Sequence, residues 1–444
     1  MILSCLPTPA YAETLNLDQA VQLALTADQR IKEREHLVEA ARSLLSEVTG
    51  NEGFTVDANA FVALAPRVDG GFYRDNLVTC NGGCEPRSDL YDIDGVVPWT
   101  NLSVTIVKPL YTFGKIENYA EAARGNIDIK QADVTLQRGN TILDVHRAYY
   151  GYLTARETRK LLADVERRID SALELVNKWL ADGSGDVRMS DRYALESGLG
   201  LVRSYLSQAG AVEHIALDGL KVLTGIGMDK ELEVSDTTIR PVALPEQGLA
   251  ALQEQALARR PEMIQVESGL RARRSLVAAR DAEGKPNIYA GIGARAAYTP
   301  GRDSLENPHV FDIYNHAGLS PVLGIKWDFN GGVKDARVAQ EQAQLEALLA
   351  TAAFARQGIP YQVSEQYLKV QSNYERTQSL EAGSRAGRRW MIGTYADFEA
   401  GLEKADKVIT AFQGYVLAHS DYLKTVYDYN MDVVRLKFVT GELQ

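Results

Sequence analysis

Lys108-Pro109-Leu110-Tyr111-Thr112-Phe113-Gly114-Lys115 stands where two kinds of sequence meet. Before it, Leu102, Val104 and Ile106 alternate with Asn101, Ser103 and Thr105, the period of a strand with one apolar and one polar face. After it, Lys115 to about Leu180 contains no proline. As one helix at ~1.5 Å per residue that stretch would span ~100 Å, far more than a globular helix. The junction recurs as Ile325-Lys326-Trp327-Asp328-Phe329-Asn330-Gly331.

Working outward, the chain repeats itself once. Leu17-Asp18-Gln19-Ala20-Val21 through Ala24-Leu25 corresponds to Leu249-Ala250-Ala251-Leu252-Gln253 through Ala256-Leu257. Arg147-Ala148-Tyr149 corresponds to Glu365-Gln366-Tyr367, and Leu223-Thr224-Gly225 to Val439-Thr440-Gly441. The landmarks keep their order at an offset of about 216 to 232 residues. The expected organisation is a signal-peptide remnant over 1–12, a first repeat over 13–225, a linker over 226–248 carrying Pro241 and Pro245, and a second repeat over 249–444.

Strands are expected at about 54–66, 101–113, 287–298 and 317–329. Phe54, Val56, Ala58, Ala60, Val62 and Leu64 alternate with polar or small residues, as do Ile288, Ala290, Ile292, Ala294 and Ala296, and Leu319, Pro321, Leu323, Ile325 and Trp327. Each run is long enough to cross a bilayer when tilted. A soluble sheet with one wet face shows the same alternation. Four strands cannot close a barrel, and open edges are not tolerated in lipid, so insertion requires several chains to pool their strands. The connections Pro66–Thr100 and Thr299–His316 are polar and rich in Gly and Asp.

The rest reads as helix. Val408, Phe412, Tyr415, His419, Tyr422, Val426, Tyr429, Val433 and Leu436 alternate four and three apart, a coiled-coil seam. Val165, Ile169, Ala172, Val176 and Trp179 continue the habit in the first half. A seam rich in Tyr suits helices packed side by side in a wide assembly. Gly358-Ile359-Pro360 is expected to kink its helix.

Composition sets the outer limits. The chain has 444 residues, 45% hydrophobic and 24% charged, with 59 acidic against 48 basic side chains and a formal net charge of −11. Disorder, collagen and a disulfide-dense scaffold are excluded, and the length suggests roughly two or three structural units. The acidic balance argues against a nucleic-acid partner. No run reaches ~18 consecutive apolar residues, so no transmembrane helix is expected; a β-barrel remains open. Ala10-Tyr11-Ala12 reads as a signal cleavage site behind a shortened apolar segment, so the start is expected to lie inside the signal peptide. Ile2-Leu3-Ser4-Cys5 also reads as a lipidation box. Cys80 and Cys84 lack a second cysteine pair or a histidine at metal-ligand spacing, and in an exported protein a short-loop disulfide is the better reading.

An exported helix–strand–strand–helix repeat with long coiled-coil hairpins and no enzyme motif resembles the TolC family of outer-membrane channel-tunnels. The features are the Leu17…Ala20…Ala24-Leu25 opening, the Pro109–Lys115 junction, Ala148-Tyr149-Tyr150, Arg260-Pro261-Glu262 and the closing Thr440-Gly441, from about Thr14 to Leu443. The resemblance implies an α+β membrane protein: a homotrimer whose four strands per chain form a twelve-stranded β-barrel in outer-membrane lipid, above an α-helical periplasmic tunnel. It implies an exit duct for efflux or type I secretion, fed by an inner-membrane pump through a periplasmic adaptor. The alternative is a periplasmic coiled-coil scaffold without channel activity.

The family closes its periplasmic entrance at the helix-hairpin tips with charge pairs and hydrogen bonds. The first turn is expected near Asp182 to Asp191, with Gly183 and Gly185 ending the long helix, and the second near Arg388 to Glu399, around Gly393. The matching candidates are Asp182, Asp186, Arg188 and Asp191, against Arg388, Arg389, Tyr395, Asp397 and Glu399. Around a threefold axis, unpaired carboxylates would repel one another and favour cations. Asp182-Gly183-Ser184-Gly185-Asp186 and Tyr395-Ala396-Asp397-Phe398 depart from the family's usual tips. No zinc-protease helix, P-loop or nucleophile elbow is present, so neither enzyme activity nor a cofactor is expected.

Overall fold

The computed structural model describes residues 13–67, 73–74, 81–86, 95–184, 187–302, 304, 309, 311–329 and 331–443. The expected signal remnant, Cys5, Cys80, Gly185 and Asp186 lie outside them. The described elements run β1 (Glu13–Leu15), α1 (Leu17–Ala27), α2 (Gln29–Gly50), β2 (Thr55–Pro66), β3 (Val96–Tyr111), α3 (Lys115–Asp182), α4 (Met189–Thr224), β4 (Leu232–Val234), α5 (Leu249–Arg259), α6 (Pro261–Ala282), β5 (Asn287–Tyr298), β6 (His316–Lys326), α7 (Val333–Glu399) and α8 (Ala405–Val439). Element lengths recur between the halves: α1 and α5 have 11 residues each, α2 and α6 have 22, and α3 and α7 have 68 and 67. The chain divides into two compact units, residues 1–38, 128–267 and 350–444 in the first, and 39–127 and 268–349 in the second.

The second unit is built on a four-stranded antiparallel sheet in the order β2-β3-β5-β6. Directly paired residues share a face, so the register shows what the alternation encodes. Val56, Ile106, Ile292 and Pro321 form one cross-strand row, and Ala58, Val104, Ala294 and Leu319 the next. Asp57, Thr105, Gly293 and Ser320, then Asn59, Ser103, Arg295 and Gly318, form rows on the opposite face. In these rows one face is therefore apolar across all four strands, and among the described residues β2 and β6 are the edges of the sheet.

β3 begins at Val96, five residues before the expected start, and ends at Tyr111. Its early part holds Pro98, which pairs with Leu64 of β2 at a level where β5 has not yet joined, so a missing N–H breaks no second ladder. The register shifts between Pro109 and Tyr111, and Tyr111 comes opposite Ile288 on the apolar face. Phe113 (φ 54°) and Gly114 (φ 81°) then turn the chain into α3 through two left-handed residues. At Gly291 a Cβ would lie 2.7 Å from the Ile106 carbonyl oxygen, so the β3–β5 approach needs glycine there.

The first unit is helical apart from the two-stranded parallel β1–β4 pair. Asn16 caps α1, accepting from the Gln19 N–H at 2.8 Å while the Gln19 side chain accepts from the Asn16 N–H at 3.0 Å. The α8 seam is buried at Val408, Phe412, Tyr415, Val426, Tyr429, Val433 and Leu436, with His419 and Tyr422 half-buried. The segment between Ile226 and Gly248 is tied to α8: the Val242 N–H donates to Asn430 Oδ1 (3.0 Å), and Asn430 Nδ2 donates to the Arg240 carbonyl (2.8 Å).

Pro360 does not end its helix: α7 runs through it from Val333 to Glu399. Proline removes one N–H from the ladder. Its carbonyl accepts from Ser364 Oγ (3.0 Å) and from Gln253 Nε2 of α5 (3.2 Å), which hold that turn against its neighbour.

Candidate functional site

The ends of α3, α4, α7 and α8 share one hydrophobic core in the first unit. Val165, Ile169, Ala172 and Val176 of α3 pack with Leu195 and Leu199 of α4, Met391, Tyr395 and Phe398 of α7, and Val408 and Phe412 of α8. Trp179 meets Phe398 edge-on at 5.3 Å, and Tyr395 stacks on Phe412 at 5.9 Å. Burial of aromatic surface of this size dominates local packing energy and holds the two hairpin ends side by side.

Both long helices stop in the same way. After α3, Gly183 adopts φ 63° and the Ser184 N–H donates to the Trp179 carbonyl (3.0 Å). After α7, Gly401 adopts φ 74°, its N–H donates to the Phe398 carbonyl (2.9 Å), and the Leu402 N–H donates to the Asp397 carbonyl (2.8 Å). These are glycine-terminated C-caps. The second turn therefore lies after Glu399, at residues 400–404, and not around Gly393, which sits inside α7 with open space beside it. A glycine within a helix costs only ~1 kcal/mol, too little to end one held by a core. Gly183 and Gly401 fit the repeat offset that relates the other landmarks, and that signal locates the turn.

The candidate charges divide into three groups. Arg188 and Asp191 form the start of α4: the Arg188 N–H donates to Asp191 Oδ2 (2.7 Å) and the Asp191 N–H to the Arg188 carbonyl (2.9 Å). Tyr395 and Glu399 form a second pair. The phenol is buried between α3 and α8 with the Arg168 guanidinium 5.8 Å from its ring, and its pKa is raised by that burial and then by the Glu399 charge, to which it hydrogen-bonds. Asp182, Arg389 and Asp397 are exposed and, among the described residues, form no ion pair within the chain. Arg388 is exposed on α7, and its charge reaches Tyr415 and His419 of α8. Among the described residues, no candidate of the first hairpin is ion-paired with one of the second.

The side chain missed as an electrostatic element is His419. It stacks between Tyr415 (5.5 Å) and Tyr422 (6.0 Å) and shares a 2.7 Å hydrogen bond with Ser384 of α7. Burial, then the Arg388 charge, holds its pKa below the ordinary histidine value. It is a packed seam residue, as its spacing on α8 indicates. Cys84 is disulfide-bonded. Among the described residues no group of three or more His, Cys, Asp or Glu is placed to hold a metal ion, and no helix is long and apolar enough to cross a membrane.

Residues 252–442 match the family described as outer membrane efflux protein. No curated protein matches the sequence significantly. Solved structures share the fold over nearly the whole chain. The Campylobacter jejuni CmeC outer membrane channel is similar with a TM-score of 0.78 at 13% identity, over 99% of this chain and 90% of that one. The outer-membrane channel OprN gives 0.76 at 19% identity, over 96% and 89%. The open state of the Neisseria gonorrhoeae MtrE outer membrane channel gives 0.73 at 17% identity, over 98% and 93%.

Proposed function

From the match of residues 252–442 to the outer membrane efflux protein family, we propose that this chain is the outer-membrane exit duct of a tripartite transport system. Three copies pool their strands into one twelve-stranded barrel, and their long helices line a periplasmic tunnel. A periplasmic adaptor and an inner-membrane pump feed it.

The observation that supports this most is the register of the sheet. Its apolar rows are continuous across four strands while both edges stay unpaired. In lipid every backbone group must be satisfied, which four strands achieve only by joining others into a closed ring. From Ile288 to Tyr298, about ten steps at ~3.4 Å and a tilt near 40° give a height of ~26 Å. That equals the apolar band of an outer-membrane barrel, ~25 Å. The opposite face, with Asp57, Asn59, Ser103 and Arg295, suits a water-filled lumen.

At the hairpin ends, Asp182 and Asp397 supply exposed carboxylates to the tunnel entrance. Three copies of each around the axis concentrate negative potential there, which favours cations and lets an adaptor shift the opening. Arg188, Asp191, Tyr395 and Glu399 hold the tips in shape, and Arg388 and Arg389 are basic counterparts on the same helix.

The test is extraction of the full chain from outer membranes in mild detergent. The expected product is a trimer whose β-sheet signal is lost only on boiling. A water-soluble monomer would sink the duct reading in favour of a periplasmic scaffold. In the reconstituted trimer, Asp182→Ala with Asp397→Ala lowers cation selectivity severalfold; wild-type selectivity removes both from the entrance.

A further inference from the structure

The apolar face of the sheet carries one charged side chain among its described strand residues, Lys108. It pairs with Ala290, one row beyond Ile106 and Ile292, at the end of the strands next to the helices. Four aromatic side chains crowd the same end: Phe54 (69% exposed), Tyr111 (55%), Trp327 (52%) and Phe329 (78%). Tyr111 reaches this face only because the β3 register shifts after Pro109. Trp327 is fixed by its Nε1 donating to the Gly284 carbonyl (3.0 Å) and by Phe329 at 4.5 Å. Lys108 Nζ stands 5.1 Å from the Phe54 ring centroid and, among the described residues, forms no ion pair with a carboxylate. At the other end of the face, Leu64, Pro98, Ala296 and Ala317 bring no cation.

We propose that Lys108 and this aromatic rim hold the phosphate of an anionic phospholipid in the periplasmic leaflet. The proposal rests on the barrel reading above. A lysine on a lipid-facing row lays its methylenes along apolar surface and carries its ammonium to the headgroup level. Aromatic rings favour the same depth. The ammonium has a cation–π contact beneath it and no anion beside it. An anionic phospholipid supplies both missing parts: acyl chains for the Val56 and Ile106 row, and a phosphate oxygen for Lys108. Free phosphate would supply only the second, and a zwitterionic lipid brings its own ammonium to compete.

The experiment uses the full-length trimer in bilayer discs of mixed phosphatidylglycerol and phosphatidylcholine, released into native mass spectrometry to count retained lipid. Wild type, Lys108→Gln and Lys108→Arg are first checked as heat-modifiable trimers. The wild type is expected to retain phosphatidylglycerol preferentially, and Lys108→Gln to retain about fivefold less, the factor for one surface lysine near anionic lipid. Lys108→Arg is expected to restore retention. Excess inorganic phosphate should leave the lipid in place. Equal retention by wild type and Lys108→Gln overturns the proposal while leaving the barrel intact. Displacement by phosphate overturns it in favour of a simple anion site. Failure of the wild type to form a membrane trimer removes the barrel reading and the proposal together.

Discussion

His419 shows how one side chain can be read correctly for packing and still hold an unexpected electrostatic consequence. Its spacing on α8 announces a seam position, and the structure stacks it between Tyr415 and Tyr422. The neighbouring helix adds Arg388, which no period in α8 could reveal. The pKa of His419 is lowered by burial and then by Arg388, and that of His146 chiefly by burial. The unfolded chain therefore binds protons that the folded chain refuses. Stability from both histidines is fully present above the ordinary value near 6.5 and is lost as pH falls through the depressed folded values. The melting temperature is expected to drop between pH 7 and 5. His419→Gln, which keeps a partner for Ser384, should flatten that drop; an unchanged slope would mean the ring titrates without linkage to folding.

At the scale of elements, period decided what could be read. A strand with one apolar face writes its period in the side chains, and β2, β5 and β6 are legible for that reason. The first residues of β3 are not, because Pro98 reads as a break until the pairing shows that its missing N–H lies where β5 has no partner to lose. The end of α7 misleads in the opposite way. Gly393 looks like a stop and is a helical residue, whereas Gly401, which carries the positive φ, lies eight positions on. A paired substitution tests this. Gly401→Val should cost about 1–2 kcal/mol by forcing a β-branched residue into the left-handed region. Gly393→Ala should gain ~0.5–1 kcal/mol, since it replaces glycine inside a helix with nothing in the way. The reverse pattern in urea unfolding would put the turn back at Gly393. At the hairpin ends the charged residue types were legible but not their partners. Arg188–Asp191 and Tyr395–Glu399 are local pairs, while Asp182 and Asp397 are exposed.

For the whole molecule, the apolar face separates the competing readings. Leu319 lies in the row of Ala58, Val104 and Ala294, near the middle of the band. On a soluble sheet with that face wet, Leu319→Arg would be harmless or helpful. At the midplane of a lipid-embedded barrel it costs ~2–4 kcal/mol. The variant is expected to accumulate in the periplasm with less heat-modifiable trimer in the outer membrane. Wild-type trimer levels would argue that lipid does not cover this face.

The two open edges have a consequence in time as well as in space. On the proposed duct reading, a newly exported chain carries β2 and β6 as the sheet edges among its described residues, so a solitary copy has neither a stable place in lipid nor a protected surface in water. If three copies close the barrel as proposed, membrane entry is a reaction of three chains rather than one. At low supply its rate falls more steeply than the amount of protein made, and a modest drop in synthesis removes a disproportionate share of working ducts. Each waiting chain meanwhile offers strands to any other exposed edge, so overproduction is hazardous for the same reason that scarcity is inefficient.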